Sequence, residues 1–436
     1  MKKLAALFLA LVMMLSVASL AAAETPKIKL VVWSFTDELQ GILDNYYIPA
    51  HPEVEITYVL YSTQEFFQTA FPTMMASTPG SDMAPDVFAL EADYAKQWIN
   101  SEHTAALTDI GFTEEEMAVS VPSVVDFGRD PSGVAKALSW QSTPGALFYR
   151  ASLAEEYLGA ETPEEFQELV SDWEAFFDTA VELNELSEGK TKMFSSIGDI
   201  YKPFFYQRES GWVVDGKLVI DPAMIELMEY AKMAKDDGLY NLSEQWQEGW
   251  FAGFKTDSTM CYFLPTWGLH YVLKPNSGGT APGEGTYGDW RMVSGPVGYS
   301  WGGTWLGANA TKVAAADDAK KAAIKELINF ITLDYDFLKQ YAFDSGDFVS
   351  NMQVANDIVA EGGTPNDFLG GQDHYAMFAE SSLLISDSTT GYDGVMNDLF
   401  TRFALNPFLN NEVDMETGIA NFKTEVRAAY SDVIVE

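Results

Sequence analysis

Short apolar segments alternate with longer stretches of helical periodicity along most of this chain. Apolar residues dominate four segments, which we predict to be strands: 28–33, 55–61, 86–90 and 135–140. Between the first two, Leu39, Ile42, Leu43 and Tyr46 recur at the spacing of one helical face. Strand, helix and strand therefore follow in order, which predicts an α/β architecture.

Three later helices are predicted from their start signals. Thr162 to Glu165 has the pattern of a capping box with Pro163 in the first turn, and an apolar stripe that includes Trp173 follows it. Asp221-Pro222 opens a second helix that Gly238 ends, and Asp317 or Asp318 opens a third. We assign the apolar stripes of these helices to the core and give them no role in binding.

The first 23 residues read as a secretory signal peptide. Lys2 and Lys3 precede an apolar run from Leu4 to Leu15, and Ala21 to Ala23 form a small-residue cleavage site. A membrane anchor is the alternative, but the run is shorter than the roughly 20 residues that span a bilayer. We expect a protein that is secreted across the cytoplasmic membrane to a periplasm or cell surface. No cysteine near the cleavage site could carry a lipid, and Cys261, the single cysteine, is predicted to be buried.

Composition narrows the class of protein. Hydrophobic residues make up 47% of the chain and aromatic residues 14%, which is enough for large cores. The formal net charge of -38 repels phosphate groups, so nucleic acid is excluded as a partner. Over 400 residues remain after the signal peptide, and domains usually have about 50 to 250 residues, so two lobes are expected.

Several segments, taken in order, resemble one known family. They are VVWSF (31–35), HPEVEITYV (51–59), FPTMMASTPGSDMAPDVFALE (71–91), AKALSWQSTPGALFYRASLAEEYLG (135–159), TPEEFQELVSDWEAF (162–176), FAGFKTDSTMCYFLPTW (251–267) and SWGGTWLGANA (300–310). Together they resemble the extracellular solute-binding proteins of ABC importers, in the family that includes maltose-binding protein. The chain departs from the family pattern at Tyr149-Arg150-Ala151, where Tyr-Asn-Lys is usual, and at Phe166, where Trp is common.

The resemblance implies the two-lobed periplasmic-binding-protein fold of type II. Each lobe is then a mixed sheet flanked by helices, and crossover strands form a hinge that closes on ligand. We expect residues 24–139 and 302–345 to form lobe 1, and residues 140–301 and 346–436 to form lobe 2. The implied partners are a small sugar and the permease subunits of an ABC transporter, and we expect a monomer.

Polar and aromatic residues at predicted strand ends are candidates for one wall of the site, since ligands of open α/β sheets bind beyond the carboxyl ends of strands. The candidates are Trp33, Ser34, Asp37, Glu91, Asp93, Trp140 and Gln141. The alternative for the acids is a role in helix starts or solvated loops. The alternative for Trp140 is a plug in the hinge, but we expect its ring to be exposed in the cleft.

Aromatic residues of the second half are candidates for stacking on a sugar ring. The resemblance implies this role for Trp267, and it places Trp301 and Trp305 at the second crossover, with Tyr392 and Asp393 in a further cleft segment. We interpret Trp246 and Trp250 as a packing pair.

We predict no cofactor and no metal. Gly283, Gly285 and Gly288 match a dinucleotide motif in spacing only, because no helix is predicted to follow them. The four histidines have no zinc-site spacing. Two alternatives to sugar binding stay open: the same fold holding a polyamine or other cation against acidic residues and indoles, and an exported glycoside hydrolase with two facing carboxylates.

Overall fold

The computed structural model describes residues 27–385 and 388–436 of the chain. The predicted signal peptide, residues 1–23, lies outside the described residues. Across both described ranges, none of the helices has the length and apolar character needed to cross a membrane.

The strands of the described residues form two main sheets and two short hairpins. They are β1 (Ile28–Ser34), β2 (Val54–Leu60), β3 (Val87–Glu91), β4 (Ala137–Ser139), β5 (Gly145–Arg150), β6 (Val213–Val214), β7 (Lys217–Leu218), β8 (Cys261–Pro265), β9 (Trp290–Val293), β10 (Thr304–Ala308), β11 (Pro365–Asn366) and β12 (Gln372–Asp373). The four strands predicted from the sequence correspond to β1 to β4.

The larger sheet has the strand order β2-β1-β3-β10-β4. Strand β1 is parallel to β2 and β3, and Val32 lies opposite both Tyr58 and Val87. Strand β10 returns from far along the chain and pairs antiparallel with β3 and β4. Parallel neighbours need long crossover connections, and helices supply them here. This sheet is the core of the first lobe.

Helical segments flank the larger sheet. Between residues 37–127 and 310–345 they are Asp37–Ile42, Ile48–Ala50, Thr63–Glu65, Phe71–Ser77, Ala92–Ile99, Glu114–Met117, Pro122–Phe127, Ala310–Ala315, Asp318–Thr332 and Tyr335–Ser345, with π-helical turns at Leu43–Tyr47 and Phe66–Ala70 and a 3-10 turn at Leu107–Ile110. The helix start predicted at Asp317 is confirmed, because its side chain accepts the backbone N–H of Lys320.

The second lobe is built on the antiparallel sheet β8-β5-β9, whose central strand is buried throughout. The helical segments between residues 151–276 and 352–429 are Ala151–Leu153, Pro163–Leu169, Trp173–Leu186, Tyr201–Gln207, Pro222–Asp236, Glu248–Ala252, Thr266–Gly268, Lys274–Asn276, Met352–Ala360, His374–Ser382, Asp393–Phe400, Asn406–Leu409 and Met415–Ala429, with π-helical turns at Ala154–Leu158, Leu269–Leu273 and Thr401–Leu405 and 3-10 turns at Ile197–Ile200, Gly253–Lys255 and Asp367–Leu369.

Several local predictions are confirmed in this lobe. The capping box of Thr162 and Glu165 is formed, and Asp221 caps the helix that begins at Pro222. Trp173 and Cys261 are buried, and burial raises the pKa of the Cys261 thiol well above its usual value. These residues are structural.

Three extended segments run side by side between the lobes. Residues 140–142 pair with 348–350, through the bonds from the Ser350 N–H to the Trp140 carbonyl (2.9 Å) and from the Ser142 N–H to the Phe348 carbonyl (3.0 Å). Residues 143–145 pair with 299–301, where the Gly145 N–H meets the Tyr299 carbonyl at 2.7 Å. The predicted crossover hinge is therefore present. The boundaries of 24–139, 302–345, 140–301 and 346–436 given above for the lobes stay a prediction.

Candidate functional site

A cavity of about 520 Å³ lies between the two lobes. Helix Ala92–Ile99 forms its first-lobe wall, and helices Tyr201–Gln207 and Asp393–Phe400 form the second-lobe wall. Its size falls within the roughly 300–1,000 Å³ of small-molecule sites. The aromatic side chains that line it are Phe67, Tyr94, Phe127, Phe205 and Tyr206.

One ion pair joins the two walls of this cavity. The Lys202 ammonium of the second lobe lies 2.6 Å from the Asp93 carboxylate of the first. Burial by itself lowers the pKa of Lys202, but the adjacent carboxylate outweighs this and raises the pKa above its usual value. The lobes are therefore held together at this point by a charged hydrogen bond.

Glu91 lies behind that ion pair, at the carboxyl end of β3. Its side chain caps the following helix by accepting the Asp93 N–H at 2.9 Å. Burial, with the negative charge of Asp93 added, raises the pKa of Glu91 to about 8. Glu91 therefore holds its proton more tightly than an ordinary glutamate does.

A second ion pair lies within the second-lobe wall. Arg208, which is only 2% exposed, pairs through Nη2 with Asp393 and donates from Nε to the Phe205 carbonyl at 2.8 Å. The other oxygen of Asp393 accepts the N–H and the hydroxyl of Thr390, both at 2.8 Å. The guanidinium also lies over the Trp212 ring at 5.0 Å, while its Nη1 has no hydrogen-bond partner within the described residues.

A small cavity of about 20 Å³ adjoins the large one and shares Phe127 and Tyr206 with it. Ser142, Thr143 and Ser300 of the crossover segments line it. Hydroxyl groups therefore continue the polar surface from the large cavity to the hinge.

A pair of acids, the half-buried Glu38 and the buried Asp347, lies on the hinge. Glu38 accepts hydrogen bonds from Tyr341 (2.6 Å), Trp140 (3.2 Å) and Gln141 (3.2 Å). The Gln141 amide also donates to Asp347 at 2.9 Å. Burial and, after it, the charge of Glu38 raise the pKa of Asp347 to about 7, and burial likewise raises that of Glu38.

The structure brings a few of the predicted site residues to the cavity. Asp93 and Asp393 line it, and Glu91 precedes the lining residue Ala92. Tyr392 is half-buried and packs edge-on against Tyr430, with ring centroids 5.2 Å apart. Asp37 is exposed at the start of its helix.

Three predicted tryptophans are buried, although Trp305 also lines the small cavity. The exposure expected for Trp140 is wrong: the ring is 0% exposed and its N–H is held by Glu38, so it is a plug in the hinge. Trp33 packs against Tyr61 with centroids 5.2 Å apart, and Trp305 packs against Phe127 and donates to the Val124 carbonyl at 3.1 Å.

Two further predicted residues are hinge or turn residues in this structure. Ser34 is buried and accepts the Thr36 N–H at 3.1 Å, which shapes the turn after β1. Gln141 is buried between Glu38 and Asp347. Neither lines the large cavity, and a contact with ligand stays a prediction for both.

Trp267 and Trp301 form a cluster with Trp246. The Trp267 N–H donates to the Trp301 carbonyl at 2.8 Å, and the ring centroids of these two residues lie 5.5 Å apart. Trp246 also packs against Trp250 at 5.1 Å, so the predicted packing pair is present. Gly302 has φ of 80°, and a Cβ atom there would lie 2.8 Å from the Trp267 indole nitrogen, so glycine is needed for this packing.

The sequence analysis did not predict the part of the second-lobe wall that carries two cations. This part is the segment YKPFFYQR (201–208), and its residues Lys202, Tyr206 and Arg208 line the cavity. A signal existed: the chain has 26 basic residues against 64 acidic ones, so two cations among aromatic residues within one helical segment are unusual.

Comparison with known proteins agrees with this architecture. The sequence profile of a bacterial extracellular solute-binding protein family matches residues 50–362. No curated protein matches the chain at a significant level.

Solved structures share the fold at low sequence identity. A protein described as extracellular solute-binding protein family 1 has a TM-score of 0.80 and 19% identity, over 92% of this chain and 99% of that one. An ABC transporter associated binding protein of B. animalis subsp. lactis, in complex with β-1,6-galactobiose, has a TM-score of 0.68 and 16% identity, over 94% and 100%. The GacH receptor of Streptomyces glaucescens has a TM-score of 0.67 and 16% identity, over 94% and 100%.

The expected family and fold are thereby confirmed, and the solved neighbours are described as binding proteins. Since the profile covers most of the chain and the neighbours share its two-lobed fold over more than nine-tenths of its length, this chain belongs to the bacterial extracellular solute-binding protein family.

Proposed function

We propose that the protein binds a sugar or oligosaccharide between its lobes and delivers it, unaltered, to the permease subunits of an ABC importer. The observation that supports this most is the inter-lobe cavity, with aromatic side chains and balanced ion pairs on its walls. Sugars offer flat C–H faces to aromatic rings and hydroxyl groups to polar side chains. The complex of one structural neighbour with β-1,6-galactobiose adds support.

The charges of the cavity favour a neutral ligand. Asp93 is paired with Lys202 and Asp393 with Arg208, so neither carboxylate is free to hold a cation. A polyamine would have to displace these internal partners, at the cost of leaving buried cations without counter-ions. The same pairing disfavours hydrolysis of the ligand. A glycoside hydrolase needs one carboxyl group that is free to protonate the glycosidic oxygen and a second one that assists the attack.

The test is a panel of mono-, di- and trisaccharides, with spermidine as the cationic probe, added to the purified mature protein. Binding is followed by tryptophan fluorescence and by the melting temperature. A sugar at 100 times its dissociation constant should stabilise the protein by about 2.7 kcal/mol. No response to any sugar, or a response to spermidine alone, would overturn the proposal.

The variant Asp93→Asn tests whether the sugar binds in the cavity between the lobes. It removes the charge that joins the two walls, so we expect a weaker affinity for the sugar that binds. Glu188→Gln, on the exposed pair with Lys190, should leave the affinity unchanged. Equal affinity in both variants would place the sugar elsewhere. Accumulation of reducing ends during incubation with an oligosaccharide would show that the protein is an enzyme.

A further inference from the structure

We propose that Glu38, Gln141 and Asp347 form a pH-sensitive hinge latch, which holds the two lobes closed while one of the two acids carries a proton and favours their opening once both are ionised. The inference goes beyond the proposed function, because it concerns the movement of the lobes and not the solute between them. It can therefore be tested without a ligand.

A single side-chain amide joins the two carboxyl groups of the hinge latch. Nε2 of Gln141 lies 3.2 and 3.3 Å from the two oxygens of Glu38, and 2.9 Å from Oδ2 of Asp347. A primary amide nitrogen carries two hydrogen atoms, so it can donate to both carboxyl groups at once. It has no charge, however, and it cannot offset two carboxylates that face each other across it.

The first lobe holds Glu38. This residue lies in helix Asp37–Ile42, which follows β1, and it accepts the Tyr341 hydroxyl at 2.6 Å. Tyr341 belongs to helix Tyr335–Ser345, which flanks the larger sheet. Glu38 therefore moves with the first lobe.

The second lobe holds the backbone of Asp347. The Tyr375 hydroxyl donates to the Asp347 carbonyl at 2.8 Å and accepts the Val349 N–H at 3.2 Å. One turn further along the helix of Tyr375, Phe378 packs against Phe148 of β5, with ring centroids 6.4 Å apart. Because β5 is the central strand of the second sheet, a change in the angle between the lobes changes the spacing of the two acids.

The titratable groups that face the hinge latch add no positive charge to it. Among the described residues they are one further acid and three phenols: Asp37, Tyr271, Tyr341 and Tyr375. Burial raises the pKa of Tyr271 to about 12, and the charges of Glu38 and Asp347 act in the same direction. These phenols therefore keep their protons and do not neutralise the acids.

Two histidines lie beside Gly346, the residue before Asp347. A Cβ atom at Gly346 would lie 2.7 Å from Cε1 of His270, and the ring of His374 lies 5.6 Å from that of His270. Burial lowers the pKa of His270 to about 4 and also lowers that of His374, and the charge of Lys274 acts in the same direction on both. Burial thus disfavours the imidazolium form that could offset Asp347.

Closure and proton binding are linked through this geometry. Burial raises the pKa of both acids, and the charge of Glu38 adds to the effect on Asp347, whose pKa reaches about 7. Water is close to the pair, since Asp37 and Tyr271 are exposed, so opening hydrates the acids and lets them ionise at a lower pH. The closed form is therefore favoured at low pH. It loses this advantage as pH rises towards 7, by up to about tenfold for each pH unit.

The test is single-molecule energy transfer between dyes on Lys29→Cys in the first lobe and Lys190→Cys in the second. Both lysine side chains are exposed, whereas Cys261 is buried and stays unlabelled. The populations of open and closed molecules are measured without ligand from about pH 5 to about pH 8. We expect the ratio of open to closed molecules to rise with pH, by up to about tenfold for each pH unit.

Two variants identify the hinge latch as the source of this response. Asp347→Asn and Glu38→Gln each replace one acid by an amide that mimics its protonated form. The ratio of open to closed molecules should then stay low and constant over the whole pH range. Asp344→Asn is the matched control, because its carboxylate is exposed and accepts from Tyr46 and not from Gln141. It should keep the wild-type response.

Glu91→Gln tests the other acid between the lobes, whose pKa burial raises to about 8. This variant should keep the response, since the hinge latch is unchanged. A response that is lost in Glu91→Gln but kept in Asp347→Asn would assign the pH dependence to the cleft wall and overturn the proposal.

The remaining outcomes separate this inference from the proposed function. A constant ratio in the wild type, or one state at every pH, overturns the hinge latch even if a sugar binds. A pH response of the expected kind in a protein that binds no sugar overturns the proposed function alone. Circular dichroism at each pH shows that the change is a movement of folded lobes and not unfolding.

Discussion

At the scale of single residues, the second cleft wall depends on a cation held inside the protein. Arg208 is enclosed by the Trp212 ring, the Phe205 carbonyl and the Asp393 carboxylate. A buried charge is tolerated only when it is paired and hydrogen-bonded. Asp393 was predicted from the sequence as a ligand contact, which stays a prediction, and the structure shows that it neutralises this guanidinium.

Replacing Asp393 should therefore destabilise the whole protein. We expect Asp393→Asn to lower the free energy of unfolding by about 3–5 kcal/mol, because Arg208 would keep a buried charge without its partner. Urea unfolding followed by circular dichroism measures this change.

Asp398→Asn is the control for that measurement. Asp398 lies on the same helix and pairs with Arg402 at 3.0 Å, but both side chains are exposed. Such pairs contribute about 0–1 kcal/mol. Similar losses in the two variants would contradict the role given to the buried pair.

At the scale of elements, local signals located strands β1 to β4 and the helices with clear start signals, but not every break. The apolar stripe after Thr162 is split, because one helix ends at Leu169 and another begins at Trp173. Asp172 caps the second helix by accepting the Ala175 N–H at 2.9 Å, and the Thr179 hydroxyl donates to the Leu169 carbonyl of the first at 2.7 Å. The continuous helical spacing of the apolar residues conceals this junction.

Asp347, which precedes the crossover segment 348–350, makes the stability of the folded protein depend on pH. Its pKa is raised to about 7 in the folded protein from the ordinary value of 3.8, so the folded state binds this proton more tightly than the unfolded state. The resulting stability is complete below about pH 4 and is lost as pH rises towards 7.

Asp347→Asn removes that loss, because the carboxamide mimics the protonated acid. We expect the stability of the variant, relative to the wild type, to rise between pH 4 and 7 with a limiting slope of about 1.4 kcal/mol per pH unit. Chemical unfolding at several pH values measures it. The control is Asp344→Asn, which removes an exposed acid. The Tyr46 hydroxyl lowers the pKa of Asp344, so the stability of this variant relative to the wild type should not change between pH 4 and 7. A flat profile for Asp347→Asn would contradict the assignment.

At the scale of the whole molecule, contact between the lobes depends on close approach of their backbones. Gly394 lies in the first turn of helix Asp393–Phe400, and a Cβ atom there would lie 2.7 Å from the Asp93 carbonyl oxygen. A side chain at this position is compatible with the second lobe alone but not with the present contact between lobes.

Gly394→Ala should therefore separate the lobes without unfolding them. Alanine stabilises a helix by up to about 1 kcal/mol relative to glycine, so the melting temperature should stay the same or rise. The radius of gyration from small-angle X-ray scattering should increase, and sugar affinity should fall.

Gly41→Ala is the matched control for Gly394→Ala, because Gly41 is also helical and its nearest neighbouring atom would lie 3.9 Å away. It should change neither the radius of gyration nor the affinity. An unchanged radius of gyration in Gly394→Ala would mean that the lobes tolerate the added methyl group.

The sequence by itself determined strands β1 to β4, the helices with clear start signals and the family, because periodicity, capping and residue order are local properties that need no tertiary contact. The tertiary structure alone decided that Trp140 is a plug in the hinge and that Lys202 and Arg208 form the cleft wall. The physical reason is distance along the chain: Lys202 meets Asp93 across 109 positions, and Arg208 meets Asp393 across 185. The residue spacing within a helix or strand does not encode such pairs. The Lys202–Asp93 pair forms only when the two lobes dock, and the Arg208–Asp393 pair forms only when the second lobe packs.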